Sequence, residues 1–451
     1  MKIKDFNNIK NRYRNFIELI DTNKILNPFI LSVCLEIEYD IDNLFNQIHS
    51  THYPIFFSNQ DNKVFNFFEE HSFSILNKDN YDKSINSMLN LISDIKFLNE
   101  DLNDQVYIFG GLNFNNQDKN IDVWGNVPVA KFTLPRFTLI DSKLIVNMYV
   151  KDKTSLKNNF CTFSSYINSF KKNILDTNRL HFNSNLLDIR DISLKNVYKN
   201  KINNFINNIS KTNTSFTKVV FSRYKKAVFQ KDVPTFEIFR KLCVNNRNNM
   251  NFLFSIDDNI KMLGSTPELI LSKNNNEIKS ESIAGSNFGK NDNFISDRKE
   301  LIEQKIVTDY ILNFFKINTT NIKYNKKPKI KKSSNIEHLH TYFEGSLKSD
   351  KNILDLLKNI HPTPAIAGHP KEDALNLIKK TNENRGWYGG PIGWIDNKLN
   401  GNFYLNIRSG LGINNHLYLF SGSGITNKST FNNEWEETEH KFKSMIDTFL
   451  K

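Results

Sequence analysis

The sequence is poor in features that would assign it to a class at once. Only three cysteines, Cys34, Cys161 and Cys243, occur in 451 residues, and no CxxC spacing suggests zinc or redox chemistry. These spacings predict reduced thiols in the core. No segment approaches the roughly 20 apolar residues that cross a bilayer, and the N-terminus lacks the apolar stretch of a signal peptide. A cytoplasmic protein without a membrane partner is therefore expected.

Acidic residues are fewer than basic ones: the sequence has 48 Asp and Glu but 60 Lys and Arg, which gives a formal net charge of +12. Such an excess permits nucleic-acid binding where it is clustered. Here the basic residues form short scattered groups, such as residues 323–332, and no helix carries a DNA-reading motif. No nucleic-acid partner is expected, and the 37 Phe provide ample material for a globular core.

Hydrophobic periodicity differs between residues 1–190 and residues 191–451. In the first part it predicts helices near 84–98 and 162–176 and a few strands, with no motif that names a reaction. In the second part, strand-like runs alternate with long helices, including those at 193–210 and 296–316. This pattern predicts an α+β fold with a large antiparallel sheet. The Asn-rich and Lys-rich strings at 245–251 and 325–332 are predicted to be surface loops.

Two pairs of acidic residues are candidates for metal binding. Glu300 and Glu303 lie early in one predicted helix, and Glu434 and Glu437 lie near the C-terminus. Because residues three apart share a helix face, each pair can present its carboxylates in one direction. Magnesium would suit a cage of such oxygens, although acidic residues early in a helix are also favoured by the helix dipole alone.

Eight ordered segments of the second part of the sequence stand out, and several of them are rich in glycine. Glycine-rich turns in this group could approach an anionic ligand closely. The segments are KVVFSR (218–223), GSTPELI (264–270), SIAGS (282–286), HPTPAIAGHP (361–370), RGWYGGPIGW (385–394), FYLNIRSG (403–410), SGSGIT (421–426) and EWEETEHKF (434–442). In order and approximate spacing these segments resemble those of the chorismate-utilising enzymes, and the resemblance covers about residues 195–451. It implies a single large α+β domain with two stacked antiparallel β-sheets flanked by helices, in which residues 1–190 complete the core and 191–451 form the chorismate-binding catalytic region.

The resemblance also implies a magnesium ion that anchors the ring carboxylate of chorismate. Its ligands would be Glu303 in EQKIV and Glu437 in EWEET. Glu300 and Glu434, one turn earlier, would act through water and orient these ligands. Asp297 is expected to cap the helix rather than bind the ion.

The family's catalytic residues match two positions of this sequence. Lys218, which opens the KVVFSR strand, would be the base that removes a proton from water as it attacks ring carbon 2. Glu268 of GSTPE would be the general acid that protonates the hydroxyl departing from carbon 4. His361 also matches a family position, but a His after a helix is more often structural than catalytic.

Chorismate is a dianion, so its carboxylates need partners, and an Arg fork suits a carboxylate. The resemblance places the following residues near the substrate: Gly285, Ser286, Tyr388, Arg408, Gly422, Gly424 and Lys441. Gly285 and Ser286 would close the pocket beside the carbon 4 hydroxyl.

The activity implied by these positions is magnesium-dependent isomerisation of chorismate to isochorismate, the first step of both menaquinone and siderophore synthesis. Lys218 argues against ammonia-using members of the family, and Ala365 of HPTPA favours the water-using branch. Salicylate synthase, which makes isochorismate and then eliminates pyruvate, is the alternative. A third possibility is a protein that binds chorismate without catalysis. The protein is expected to be a monomer.

Overall fold

The computed structural model describes most of the chain. The described residues are 2–3, 6–19, 25, 27–38, 53–61, 63–98, 105–115, 122–175, 184–211, 216–289, 293–333 and 336–450. Within these ranges no helix is both long enough and apolar enough to cross a membrane. Of the three cysteines, Cys34 is buried, Cys243 is intermediate and Cys161 is exposed. The expectation that all three are core thiols is therefore wrong for Cys161.

Helices and strands both contribute to a mixed α+β architecture, as predicted. The α-helices of the described chain are α1 (Phe6–Leu19), α2 (Tyr81–Ser93), α3 (Lys153–Leu175), α4 (Lys195–Lys211), α5 (Thr235–Asn245), α6 (Arg298–Asn318), α7 (Ile353–Ile360), α8 (Lys371–Lys380) and α9 (Phe431–Leu450). The strands are β1 (Lys2–Ile3), β2 (Phe29–Glu38), β3 (Ile55–Ser58), β4 (Lys63–Ile75), β5 (Ile95–Phe97), β6 (Tyr107–Leu112), β7 (Ala130–Ile140), β8 (Lys143–Val150), β9 (Leu186–Asp191), β10 (Lys218–Phe229), β11 (Met250–Ser255), β12 (Ile260–Thr266), β13 (Leu269–Asn274), β14 (Glu277–Asn287), β15 (Thr319–Tyr324), β16 (Lys329–Ser333), β17 (Ile336–Leu347), β18 (Gly368–His369), β19 (Pro391–Asp396), β20 (Gly401–Leu405), β21 (Ser409–Ile413) and β22 (His416–Ile425).

The strands form two antiparallel arms that diverge from β7. One arm runs from β7 through β4, β3, β11, β12, β21 and β22 to β10. The other runs from β7 through β6, β19, β20, β13 and β14 to β17. Among the pairings described, only β2 with β5 is parallel. This arrangement agrees with the expected stacked antiparallel sheets.

The N-terminal part of the chain supplies strands to both arms. Strand β3 pairs with β11, and β6 pairs with β19, so strands from before residue 191 lie beside strands from after it. The boundary expected near residue 190 falls inside β9, which pairs with β10. The two parts of the sequence therefore share their sheets.

Two helices carry acidic residues toward the space between the arms. Helix α6 packs on β14 and β17, and its buried stripe of Gln304, Val307 and Ile311 follows helical spacing. Helix α9 packs on β22, with Thr438, Phe442 and other residues buried. Packing of these stripes fixes the rotation of both helices about their axes.

One predicted loop is partly a strand. The Lys-rich string 325–332 was expected to be a surface loop, yet Lys329–Ser333 forms β16 and pairs with β17. This strand lies at the end of its arm with mostly exposed residues. Charged residues are common on such edge strands because they discourage further pairing.

Candidate active site

One cavity between the two arms collects most of the residues predicted to carry the chemistry. Eleven of the thirteen predicted site residues line it: Lys218, Glu268, Gly285, Ser286, Glu303, Tyr388, Arg408, Gly422, Gly424, Glu437 and Lys441. The other two, Glu300 and Glu434, stand one turn earlier on α6 and α9 and are not part of this lining. The sheet topology thus unites residues that are more than 200 positions apart in sequence.

Lys218 enters the cavity from the first residue of β10. It is 1% exposed, and its Nζ atom lies 2.7 Å from Oε1 of Glu303. The neighbouring strand β22 places Gly424 against this pair, because a Cβ added to Gly424 would lie 2.7 Å from Lys218 Cε and 2.8 Å from Glu303 Oε1. A side chain at residue 424 would therefore displace the ends of Lys218 and Glu303.

Glu268 lies in the connection between β12 of one arm and β13 of the other. Its side chain is buried, and burial, together with the negative charge of Glu281, raises the pKa of Glu268 to about 8. A carboxyl group with this pKa is protonated at neutral pH and can donate a proton.

Four glutamates on α6 and α9 influence one another electrostatically. Burial, reinforced by Glu303, raises the pKa of Glu300 to about 7. Burial, reinforced by Glu437, raises the pKa of Glu434 to about 8. Burial alone would also raise the pKa of Glu303, but the Lys218 ammonium outweighs it and lowers that pKa. The cluster concentrates more negative charge than its lysine neighbours easily neutralise.

Lys441 and Lys299 supply positive charge to this cluster. Lys441 Nζ lies 2.6 Å from Glu437 Oε1, while Lys299 Nζ lies 3.7 Å from Glu300 Oε1 and 3.9 Å from Glu434 Oε1. Among the described residues, no three His, Cys, Asp or Glu side chains converge closely enough to hold an ion. The carboxylates of the predicted cage contact three different ammonium groups, those of Lys218, Lys441 and Lys299.

The donor set nevertheless suits a hard cation. Both carboxylate oxygens of Glu434 are buried; among the described residues neither accepts a hydrogen bond of normal geometry, and the ion pair with Lys299 is long at 3.9 Å. Such a buried carboxylate is costly unless it finds a partner. Oxygen ligands of this kind, completed by water, are those that magnesium prefers. The residues present fit a magnesium ion near α6 and α9.

Arg408 brings a buried positive charge to the other side of the cavity. It is 7% exposed, and burial lowers the pKa of its guanidinium to about 10. Its NH2 group lies 3.3 Å from Nε2 of His338, and within the described chain no carboxylate lies within ion-pair distance of it. A carboxylate ligand entering the cavity would supply the missing partner.

His338 on β17 lines the cavity and was not predicted. Burial lowers its pKa to about 3, so its ring is neutral. Nδ1 lies 2.7 Å from the carbonyl oxygen of Gly285, which requires the proton on Nδ1 and leaves Nε2 to accept from Arg408. His338 therefore links the Gly285 turn to Arg408. An isolated His within a strand gave no signal in the sequence.

The remaining predicted residues complete the walls. Gly285 has φ +71°, and a Cβ there would lie 2.8 Å from Glu300 Oε2. The next amide, that of Ser286, donates to the same Glu300 oxygen at 3.2 Å. Tyr388 is buried and stacks on Phe420 with ring centroids 5.5 Å apart.

His361 lies away from this group. Its Nε2 atom is 3.0 Å from the carbonyl oxygen of Phe114, and it lines a different cavity beside α7. Burial lowers the pKa of His361 to about 3. These contacts agree with the structural role that the sequence favoured.

Comparison with known proteins assigns the family. Residues 16–450 match the family described as "Chorismate binding enzyme". The chain belongs to this family. In sequence, it is 33% identical over 242 residues to isochorismate synthase MenF of Bacillus subtilis, covering 51% of this chain and 51% of that protein. It is 29% identical over 242 residues to isochorismate synthase EntC of Escherichia coli K12, covering 51% of this chain and 62% of EntC. The aligned part thus spans between half and two thirds of these relatives' own lengths.

Solved structures of this family have the same fold over nearly the whole chain. The structure of MenF, the menaquinone-specific isochorismate synthase from E. coli, has a TM-score of 0.76 at 17% identity, covering 98% of this chain and 99% of that one. Anthranilate synthase component I from Streptococcus pneumoniae has a TM-score of 0.69 at 19% identity, covering 86% and 92%. The chorismate-binding fold is therefore shared by members with different names.

Proposed function

We propose that this protein is an isochorismate synthase that converts chorismate to isochorismate. The observation that carries the proposal is the joint placement of Lys218, a protonated Glu268 and an Arg408 without a carboxylate partner in one cavity. An acid, a base and an anion-binding group are the parts that the reaction needs. The curated relatives that are named isochorismate synthases support the same activity.

The proposed reaction exchanges a hydroxyl group on the ring. Lys218 accepts a proton from water while the water oxygen forms a bond to ring carbon 2. The ring double bonds shift, the bond between carbon 4 and its oxygen breaks, and Glu268 donates its proton so that this hydroxyl departs as water. Because Glu303 is paired with Lys218 at 2.7 Å, a base role for Lys218 requires another cation to neutralise Glu303.

The substrate is held by its two carboxylates in this proposal. Arg408 binds one of them through its guanidinium fork, and the neutral His338 keeps that fork in place. Tyr388 is held against Phe420 at the wall of the same cavity. Lys441, which donates to the carbonyl oxygen of Gly422 at 3.0 Å, adds positive charge beside the glycines of β22.

Magnesium is the proposed cofactor. Glu303 and Glu437 would hold it directly, and Glu300 and Glu434 would hold it through water. When bound, the ion supplies positive charge that fixes the ring carboxylate of the substrate. The buried oxygens of Glu434, whose ion pair with Lys299 is long at 3.9 Å, are the observation that supports its position.

Product analysis tests the proposal directly. The purified full-length protein is incubated with chorismate and MgCl2, and the products are separated by chromatography, alongside the Lys218→Ala variant and a sample with EDTA. We expect isochorismate from the wild type, and a loss of about 100-fold or more in rate for Lys218→Ala, in line with removal of a general base. Lys225→Ala, on the same strand but outside the cavity lining, is the matched control and should retain activity.

Other products would redirect the assignment. Salicylate together with pyruvate would place the chain with enzymes that continue past isochorismate. Chorismate binding without magnesium-dependent turnover would identify a non-catalytic binding protein. Either result would refute the proposed activity.

A further inference from the structure

A charged network outside the cavity lining adjoins Glu268. Its centre is Glu281 on β14, whose Oε2 atom lies 2.8 Å from Lys331 Nζ on β16. The Oε1 atom of Glu281 lies 3.2 Å from Nε2 of His340 on β17. Strand β17 pairs with both β14 and β16, so the three side chains come from adjacent strands.

This network contacts the backbone on both sides of Glu268. Lys331 Nζ donates to the carbonyl oxygen of Pro267 at 2.7 Å. The amide of Leu269 donates to Oε2 of Glu281 at 3.4 Å. The residues that precede and follow Glu268 are thus bound by the two members of one ion pair, which restricts how Glu268 can move.

The same ion pair sets the electrostatic surroundings of Glu268. Burial raises the pKa of Glu268, and the charge of Glu281 raises it further, whereas Lys331, Lys218 and Lys441 lower it. Glu281 is therefore the acidic neighbour that opposes three ammonium groups. Without it, positive charge would favour the ionised carboxylate.

Glu281 itself remains ionised although it is largely buried. Burial alone would raise its pKa, but the contacts with His340 and Lys331 outweigh burial and lower the pKa of Glu281 below its usual value. A fixed negative charge thus stands near a carboxyl group that must stay neutral. Pairs of carboxyl groups with divergent pKa values are a common device for separating acid and base roles.

We propose that the Glu281–Lys331 pair, supported by His340, positions Glu268 through the backbone on either side of it, and that Glu281 supplies the negative charge and Lys331 the opposing positive charge beside this carboxyl group. The proposal rests on the role of Glu268 as general acid. Glu281 and Lys331 are positioning residues, because neither lines the cavity. They act on the reaction through the backbone and the charge around Glu268.

The pH dependence of kcat provides a test that a merely structural role would not satisfy. The fall of kcat at alkaline pH is first assigned to Glu268. If Glu268 is responsible, the residual activity of the Glu268→Gln variant should not show this fall. We expect Glu281→Gln to move this alkaline limb to lower pH by about one unit, and Lys331→Met to move it to higher pH by about one unit, because the two changes remove opposite charges. In the double variant the limb should return close to its wild-type position.

A purely structural pair predicts a different pattern. Each variant would then lose stability while the alkaline limb stayed in place or moved in one common direction. Lys131→Met is the matched control, because Lys131 forms another partly buried pair, with Glu69 at 2.6 Å, away from the cavity. This control should leave the limb unchanged.

The design also separates failure of this proposal from failure of the proposed function. The Lys331→Met variant leaves the carboxylate of Glu281 without its lysine and could fail to fold. In that case the comparison is made with Glu281→Gln and the double variant, which lack this carboxylate. If the wild type makes no isochorismate, the proposed function is wrong, and the carboxyl stretching band of protonated Glu268 is followed by infrared titration instead. The network proposal is overturned if, in either measurement, the titration of Glu268 does not move in the variants or moves in the same direction in Glu281→Gln and Lys331→Met.

Discussion

At the scale of single residues, Gly424 is a position where one added methyl group should strongly reduce activity. A Cβ there would stand 2.7 Å from Lys218 Cε and 2.8 Å from Glu303 Oε1, so both side chains would have to move. We expect Gly424→Ala to lower kcat by about 100-fold, because small displacements of reacting groups are costly. The measurement is steady-state turnover of chorismate, with circular dichroism to confirm folding.

Gly412→Ala is the control for this prediction. Gly412 also lies in a strand of the same arm, but its added Cβ would approach only Thr235 Cγ2 at 3.3 Å and other atoms at 3.7 Å or more. Activity of this variant should remain near the wild-type value. Equal losses in both variants would show that the Lys218–Glu303 contact is not what the glycine protects.

Motif resemblance predicted the conspicuous side chains but not the residues that support them. Lys218, Glu268 and Arg408 stand in recognisable segments, and the structure brings them to one cavity. His338 and the Glu281–Lys331 pair were missed. Their contacts join residues about fifty positions apart, so they depend on strand register, which no local pattern in the sequence reveals.

At the scale of elements, the start of α6 sets the position of two of the four glutamates. The sequence predicts a helix at 296–316 with Asp297 as its cap, and the observed helix begins at Arg298 with the Asp297 side chain accepting from two backbone amides. We expect Asp297→Ala to lower the free energy of unfolding by about 1 kcal/mol. Because Glu300 and Glu303 follow within two turns, it should also raise the MgCl2 concentration needed for half-maximal activity.

Asn352→Ala separates these two effects. Asn352 caps α7, where its side chain accepts from the amide of Asp355, but α7 carries none of the glutamates. This variant should lose similar stability, measured by denaturant unfolding, without a change in the magnesium requirement. An equal rise in that requirement would mean that general loosening, rather than the cap of α6, is responsible.

The sequence predicts helices with strong hydrophobic periodicity better than it predicts lysine-rich strands at the edge of a sheet. The long helix α6 differs from its predicted range by only two residues at each end. Residues 325–332 are predicted to form a surface loop, yet Lys329–Ser333, which contains three lysines, forms strand β16. Its strand conformation depends on pairing with β17, which is a tertiary contact rather than a local preference.

At the scale of the whole molecule, the N-terminal part is joined to the catalytic part by sheet pairing and by aromatic packing. Trp124 stacks on Phe420 with centroids 4.9 Å apart, and Phe420 stacks in turn on Tyr388 at the cavity. The sequence offered no motif before residue 190, so it could not show which residues of that part reach the site. Packing of side chains from distant segments decides this, and it is visible only in the fold.

The shared sheets predict that the catalytic part cannot stand alone. A fragment of residues 184–451, which keeps β9 whole, would lack the strands that cover β11 and β19, leaving two unpaired edges and exposed apolar residues. Such edges promote aggregation. We expect this fragment to be insoluble or unable to bind chorismate when expressed alone, in contrast to the full chain, as measured by sedimentation and isothermal titration calorimetry. A soluble fragment that binds chorismate as well as the full chain does would show that residues 191–451 form an independent domain, and that the N-terminal part is not needed to complete their core.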